Sequence, residues 1–340
     1  MLLAAAPVRR EYFSCIDGLL ATMANYFGSP YGLMFIGYMG FEYLSDKPGA
    51  DTFGEKLLYG VGRYSRDALH KYHHVKTSWC DAENYRSLHN TIVHSLLDHV
   101  PVGVYLDSFY CPWNLAYQRF HINHYVLVIG LDMGNEAYIC LDPYASAGKY
   151  KLPGSCLQKG FREYILFEKD PSENQEPLSL CGILHENYYS NAYIGRFEKN
   201  YSAILQFADD LSHNIDIAHE TSAWGGDLQS TLLFRRINNL GKNRTKFACA
   251  LHYLGDVFES EAIHNIASAA EELHSGWDMI NSLLFRLHLT GKESIRSTIY
   301  HRLAAVAERE KQLSLALTEI AEESKEQTMR SEFLQRECIV

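Results

Sequence analysis

Two short apolar runs constrain this chain more than any other feature. They are Tyr125–Ile129 (YVLVI) and Ala137–Asp142 (AYICLD), separated by a stretch that contains Gly130, Gly134 and Asn135. Runs this short, joined by turn residues, read as a β-hairpin inside a buried sheet. Pro143 closes the second run. An antiparallel hairpin sets the start of one strand beside the end of the other. His124, just before the first run, and Asp142, at the end of the second, are therefore expected to be neighbours.

Other segments fill in the first half. Val102–Asp107 (VGVYLD) alternates as a strand does, and Tyr164–Glu168 (YILFE) adds another. Earlier, Ile16, Leu19, Leu20, Met23 and Phe27 fall at helical spacing, and Gly28 and Pro30 follow as stop signals. Ser14 and Asp17 are placed as a capping box, which makes Cys15 the first residue of that helix. This half is expected to be α+β, a helix followed by an antiparallel sheet.

The pattern changes near residue 170, at the polar, proline-containing stretch EKDPSENQEP over residues 168–177. Beyond it, Tyr193–Thr221, Leu228–Asn238, Thr245–Val257, Glu261–His288 and Ser294–Glu323 all carry helical periodicity. The last repeats through Ile295, Ile299, Leu303, Val306, Leu313, Leu317 and Ile320. An antiparallel helical bundle is expected. The division reads as a catalytic domain over residues 1–170, a linker over 171–185 and a helical bundle domain over 186–340. In the bundle, Trp277 and Phe285 are expected as core and Arg286 as solvated, with the domain as a whole helping to bound a substrate cleft.

Composition narrows the functional classes. The net charge is -10 and no lysine- or arginine-rich run occurs. Nucleic-acid binding and recruitment to an anionic membrane are therefore not expected. No apolar run approaches the length that spans a bilayer. At the N-terminus the Arg9–Arg10 pair follows the short apolar stretch, the reverse of a signal peptide, so a cytoplasmic location is expected. The eight cysteines, Cys15, Cys80, Cys111, Cys140, Cys156, Cys181, Cys249 and Cys338, are scattered and form no CxxC pair. A disulfide framework is not expected. His73 and His74 are adjacent and so do not share a helix face, and with Cys80 they complete no metal-ligand pattern. His121 and His124 form HxxH without HExxH, and no phosphate-binding glycine loop occurs.

What remains is a thiol, an imidazole and a carboxylate. Thiolate is the reactive form of cysteine, and the positive end of a helix favours it. Backbone N–H groups at that end also suit a developing oxyanion. An imidazole held at a strand start can take the thiol proton and return it to a leaving group. A carboxylate fixes the tautomer and orientation of that imidazole. Cys15, His124 and Asp142 are the catalytic candidates. Singly, each has a plain structural reading as a buried cysteine, a polar cap or a turn residue. In the order early-helix Cys, then His–strand–turn–strand–Asp, they follow the chain order of papain-like enzymes.

The segments YFSCIDGLLATMANYFGSPYGLMFIGYMGFEY (residues 12–43) and VPVGVYLDSFYCPWN…HINHYVLVIGLD…YICLDPYA (residues 100–145) resemble the N-terminal domain of the butirosin biosynthesis protein H family. More distantly, HYVLVIGLD…LDP is similar to the His and Asp region of bacteriocin-processing cysteine peptidases. The resemblance covers about the first half of the chain, in a family that often has a helical second half. It implies a papain-like domain that moves an acyl group from a carrier-protein thioester to an amine through an acyl-cysteine, in specialised metabolism, antibiotic and nonribosomal peptide biosynthesis included. The cysteine maps onto Cys15, the histidine onto His124 and the aspartate onto Asp142. The implied partners are an acyl or peptidyl carrier protein and a small amine-bearing acceptor, and the reading allows a homodimer. The chain needs no cofactor of its own, since phosphopantetheine rides on the carrier. Papain-like peptidases place a Gln several residues before the cysteine as an oxyanion donor, whereas residues 7–13 here are PVRREYF. A second donor must come from elsewhere.

Two alternatives stand beside the transferase: a cysteine hydrolase (peptidase, amidase or thioesterase) using the same residues, and a non-catalytic binding protein. Asp107, Tyr110 and Asn114, in the loop leading toward His124, are candidates to line the substrate cleft. The same loop reads equally as one packed by Tyr110, Pro112 and Trp113. Cys111 reads as a packing cysteine and Asp17 as a cap.

Overall fold

The hairpin forms, and it lies inside a larger sheet. In the computed structural model, which describes residues 2–58, 62–170, 178–188 and 197–337, strands Tyr125–Asp132 and Ala137–Leu141 pair antiparallel. Six strands make the sheet, in the order 75–81, 163–169, 102–105, 125–132, 137–141 and 149–153, with every neighbouring pair antiparallel. The hairpin strand is buried from Tyr125 through Gly130 because strands flank it on both sides. The register slips between Val128 and Gly130, where a bulge leaves Ile129 unmatched in the hairpin ladder. Its carbonyl instead accepts the Leu3 N–H at 2.8 Å, which docks the start of the chain on the sheet.

The helix Cys15–Tyr26 packs on this sheet. Its capping box closes as expected: Ser14 Oγ accepts the Asp17 N–H, and the Asp17 carboxylate accepts the Ser14 N–H. Two glycines let the helix sit close. A Cβ on Gly103, in the sheet, would lie 3.1 Å from the Ile165 side chain and 3.4 Å from Leu19 of the helix. A Cβ on Gly18 would lie 2.9 Å from Pro143, so the first turn of the helix is held against the Asp142–Pro143 turn. Thr22 donates to the Gly18 carbonyl and accepts from the Val8 N–H, which ties the segment before Cys15 to the helix. Helix Tyr85–Leu97, strands Val75–Asp81 and Lys149–Pro153 and the later part of helix Gly62–His73 also belong here and are not among the elements expected from the sequence. Their patterns are short and interrupted by histidine, lysine and serine.

The chain divides into two compact units: residues 1–34 with 66–175, and residues 35–65 with 176–340. The expected contiguous boundary at 170 is corrected by this division. Residues 35–65 belong with the helical unit because their aromatic side chains enter its core. Phe41 stacks on the buried Trp277 at 5.7 Å, Tyr43 packs on Phe207 at 5.2 Å, and Asn200 bonds the backbone of Met39 and Phe41. The expected linker over 171–185 is also corrected, since Leu180–Tyr188 is helix; residues 171–177 lie outside the described residues, as does Cys338.

The helical unit is made chiefly of helices Phe197–Asn214, Leu232–Val257, Glu261–Thr290 and Ser294–Glu337. The expected segments Leu228–Asn238 and Thr245–Val257 form one helix after a short 3-10 turn at Leu228–Ser230. The polar stretch between them stays helical because Arg244 is used inside the core. Arg244 donates two hydrogen bonds to Glu310, at 2.8 and 2.9 Å, and two more to the carbonyls of Tyr38 and Gly40. Trp277 Nε1 donates to the same carboxylate at 3.1 Å. Phe285 is 37% exposed, which corrects its assignment to the core, and Arg286 is exposed as expected. Among the described residues, no helix is long and apolar enough to cross a membrane.

Removing one partner of a buried ion pair leaves an uncompensated charge, at a cost of about 3–5 kcal/mol. Glu310→Leu is expected to lower the unfolding midpoint of the helical unit by that order. Arg244→Met with Glu310→Leu is expected to recover much of the loss, as urea titrations followed by circular dichroism would show.

Candidate functional site

Cys15, His124 and Asp142 meet. Leu127 pairs with Leu141, so the next step of the ladder sets Asp142 beside Val126, two residues from His124. The His124 carbonyl accepts the Leu106 N–H at 2.9 Å, which anchors the backbone at the strand start. His124 Nε2 lies 2.7 Å from Asp142 Oδ2. The Cys15 thiol acts on the His124 imidazole and favours its protonated form. With Nε2 taken by Asp142, Nδ1 is the nitrogen left for the thiol. His124 and Asp142 are almost fully buried, while Cys15 is partly exposed and so reachable.

Electrostatics follow from that contact. Burial works to lower the His124 pKa, but Asp142 and Cys15 outweigh it and lift the group to about 9. Burial would raise the Asp142 carboxyl, yet His124 holds it below the usual range, helped by Trp113 and the Ala145 N–H.

The loop after the strand Val102–Tyr105 supplies the third contact to Asp142. Trp113 Nε1 donates to Asp142 Oδ2 at 2.7 Å, and its ring stacks on Tyr150 at 4.6 Å. Asp107 caps the short turn Ser108–Tyr110 and pairs with His121 Nδ1 at 2.7 Å. Tyr110 packs over Gly160 and beside Phe109. Asn114 accepts the Ala116 N–H. These bonds shape the loop. In the sequence Trp113 reads only as a packing residue of this loop; that its indole N–H reaches Asp142 is decided by the fold.

Cys111 is buried within 4.8 Å of the ligand atoms of His124 and Asp142. Burial pushes its thiol up to about 12, with Asp142 adding to the rise. Metal ligation needs thiolate and a free carboxylate oxygen. Here the thiol is held protonated, Asp142 Oδ2 accepts two N–H groups and Oδ1 accepts the Ala145 N–H. The trio is therefore suited to packing behind the imidazole. His73 is likewise structural: it is buried, burial lowers its pKa to about 3, and its Nε2 accepts the Leu33 N–H.

A row of side chains on the helix-bearing face of the sheet was also missed. Tyr105 pairs with Tyr125 across adjacent strands, one step past the Gly103–Leu127 pair that the helix covers. Tyr125 donates to Glu163, packs on Trp79 at 5.4 Å, and feels the charge of Cys15. Arg162 lies over the Tyr105 ring at 4.4 Å. Within the hairpin strand Tyr125 reads as one more apolar residue, and only the fold reveals that its hydroxyl end has a carboxylate partner.

No protein-family model matches the chain, and neither does any curated protein.

Two outcomes follow. His124 has a raised pKa in the folded state, so the stability it contributes is full below its unfolded value near 6.5 and is lost as pH rises through about 9. Urea midpoints measured from pH 6 to 10 should fall more steeply for the wild type than for His124→Gln. Trp113→Phe keeps the stacking area but removes the donor to Asp142. Its expected effect is slower alkylation of Cys15 by iodoacetamide than in the wild type, read by intact-protein mass spectrometry.

Proposed function

We propose that this chain is a cysteine acyltransferase with a papain-like catalytic half, moving an acyl group from a carrier-protein thioester to an amine. The observation that carries the reading is the relay from Asp142 through His124 to a partly exposed Cys15 at a helix start. In the first step Cys15 Sγ attacks the thioester carbonyl with its proton already resting on the His124 imidazole. The intermediate collapses, the carrier's thiol leaves with that proton, and an acyl-Cys15 remains. The acceptor amine then attacks, His124 takes its proton, and Cys15 is released as thiol. The capping box uses the N–H groups of Ser14 and Asp17, which leaves those of Cys15 and Ile16 at the helix start to face the oxyanion.

The amine acceptor is what the family resemblance implies.

Intact-protein mass spectrometry after mixing with acyl-loaded carrier protein tests the reading. A gain of one acyl mass in the wild type and none in Cys15→Ala is the expected result. Discharge of the adduct by amines faster than by water would support transfer, whereas discharge by water alone would make the chain a hydrolase. Absence of an adduct together with slow alkylation of Cys15 would favour a binding protein.

A further inference from the structure

The helical unit carries a pair of histidines whose geometry is separate from the Cys15 site. His252 lies in helix Leu232–Val257 and His264 in helix Glu261–Thr290. Their Nδ1 atoms approach to 3.2 Å, and the ring centroids are 5.5 Å apart. Each ring turns its other nitrogen to a carboxylate: His264 Nε2 is 3.4 Å from Asp256, and His252 Nε2 is 3.5 Å from Glu271. His264 is seated against Gly255, where a Cβ would lie 2.7 Å from its ring. Both imidazoles are about one-third exposed, so an ion could reach them from solvent.

We propose that His252 and His264 bind one borderline divalent transition-metal ion, zinc being the type case, through their Nδ1 atoms. Zinc–nitrogen bonds of about 2.0–2.1 Å at tetrahedral angles set two ligand nitrogens roughly 3.3 Å apart. The observed 3.2 Å matches that spacing without rearrangement of either helix. Imidazole suits zinc, copper and nickel. Metal-binding histidines characteristically donate their second N–H to a carboxylate, which fixes the tautomer and strengthens the ligand. Asp256 and Glu271 stand where that role requires them. Without an ion, the two Nδ1 atoms share a single proton. On binding, each Nδ1 presents a lone pair to the ion and each proton resides on Nε2, facing its carboxylate. Water completes the coordination. The ion would join the two helices near the short turn between them.

The test is equilibrium dialysis of the tag-free, reduced full-length protein against zinc, with metal quantified by mass spectrometry. One equivalent is expected in the wild type. Affinity should fall at least tenfold in His252→Gln and in His264→Gln, and about tenfold in Glu271→Gln, which keeps both ligands but removes a supporting carboxylate. It should be unchanged in His124→Ala, which removes the imidazole of the other site. Circular dichroism checks that each variant folds. Zinc should raise the melting temperature of the wild type but not of the two histidine variants. Equal affinity in the wild type and both histidine variants, no binding in the wild type, or loss confined to His124→Ala would each overturn the proposal.

Discussion

The Asp142 carboxylate is the interaction on which the first unit depends. It has no exposure to solvent, and a buried carboxylate is tolerable only when its oxygens are satisfied. Three N–H groups satisfy it, from the His124 ring, the Trp113 indole and the Ala145 backbone. Each comes from a different part of the chain. The hairpin, the long loop and the turn after Pro143 are therefore all held to one point. Gly18 completes the arrangement by letting the helix that starts at Cys15 press against Pro143.

That arrangement sets the orientation and the charge of the imidazole. Burial alone would keep His124 neutral and without preferred orientation. The carboxylate behind it reverses the sign of the shift, and the thiol in front adds to it. Cys111 lies close to the same atoms but is chemically opposite, because it is wholly enclosed and its thiolate would face the Asp142 charge. Two cysteines near one histidine thus differ in role through exposure and through which side of the carboxylate they occupy.

The helical unit solves a similar problem by similar means. Glu310 is buried and is satisfied by Arg244 and Trp277, while Arg244 reaches back to the carbonyls of Tyr38 and Gly40. The segment 35–65 is thereby drawn into a unit whose remaining residues follow it by more than a hundred positions. Local periodicity carries no information on such a contact, since the segment contributes single aromatic and carbonyl groups instead of a continuous apolar face.

By itself, the sequence determined the local elements and the order of the reactive residues. The Ser14–Asp17 cap, the hairpin with its Gly- and Asn-containing turn, and the long helices with apolar residues at steps of three and four are all set by short-range sterics and hydrogen bonding. His124 and Asp142 could be paired in advance because a hairpin is a local structure whose register brings its ends together. The tertiary structure alone decided that Trp113 serves Asp142, that Asp107 pairs with His121, that Glu163 meets Tyr125, and that residues 35–65 pack with the helices. In each case the deciding force is the need of a buried polar or aromatic group for a partner distant in the chain. Many residues could meet that need equally well on local grounds, and only the packed fold selects one.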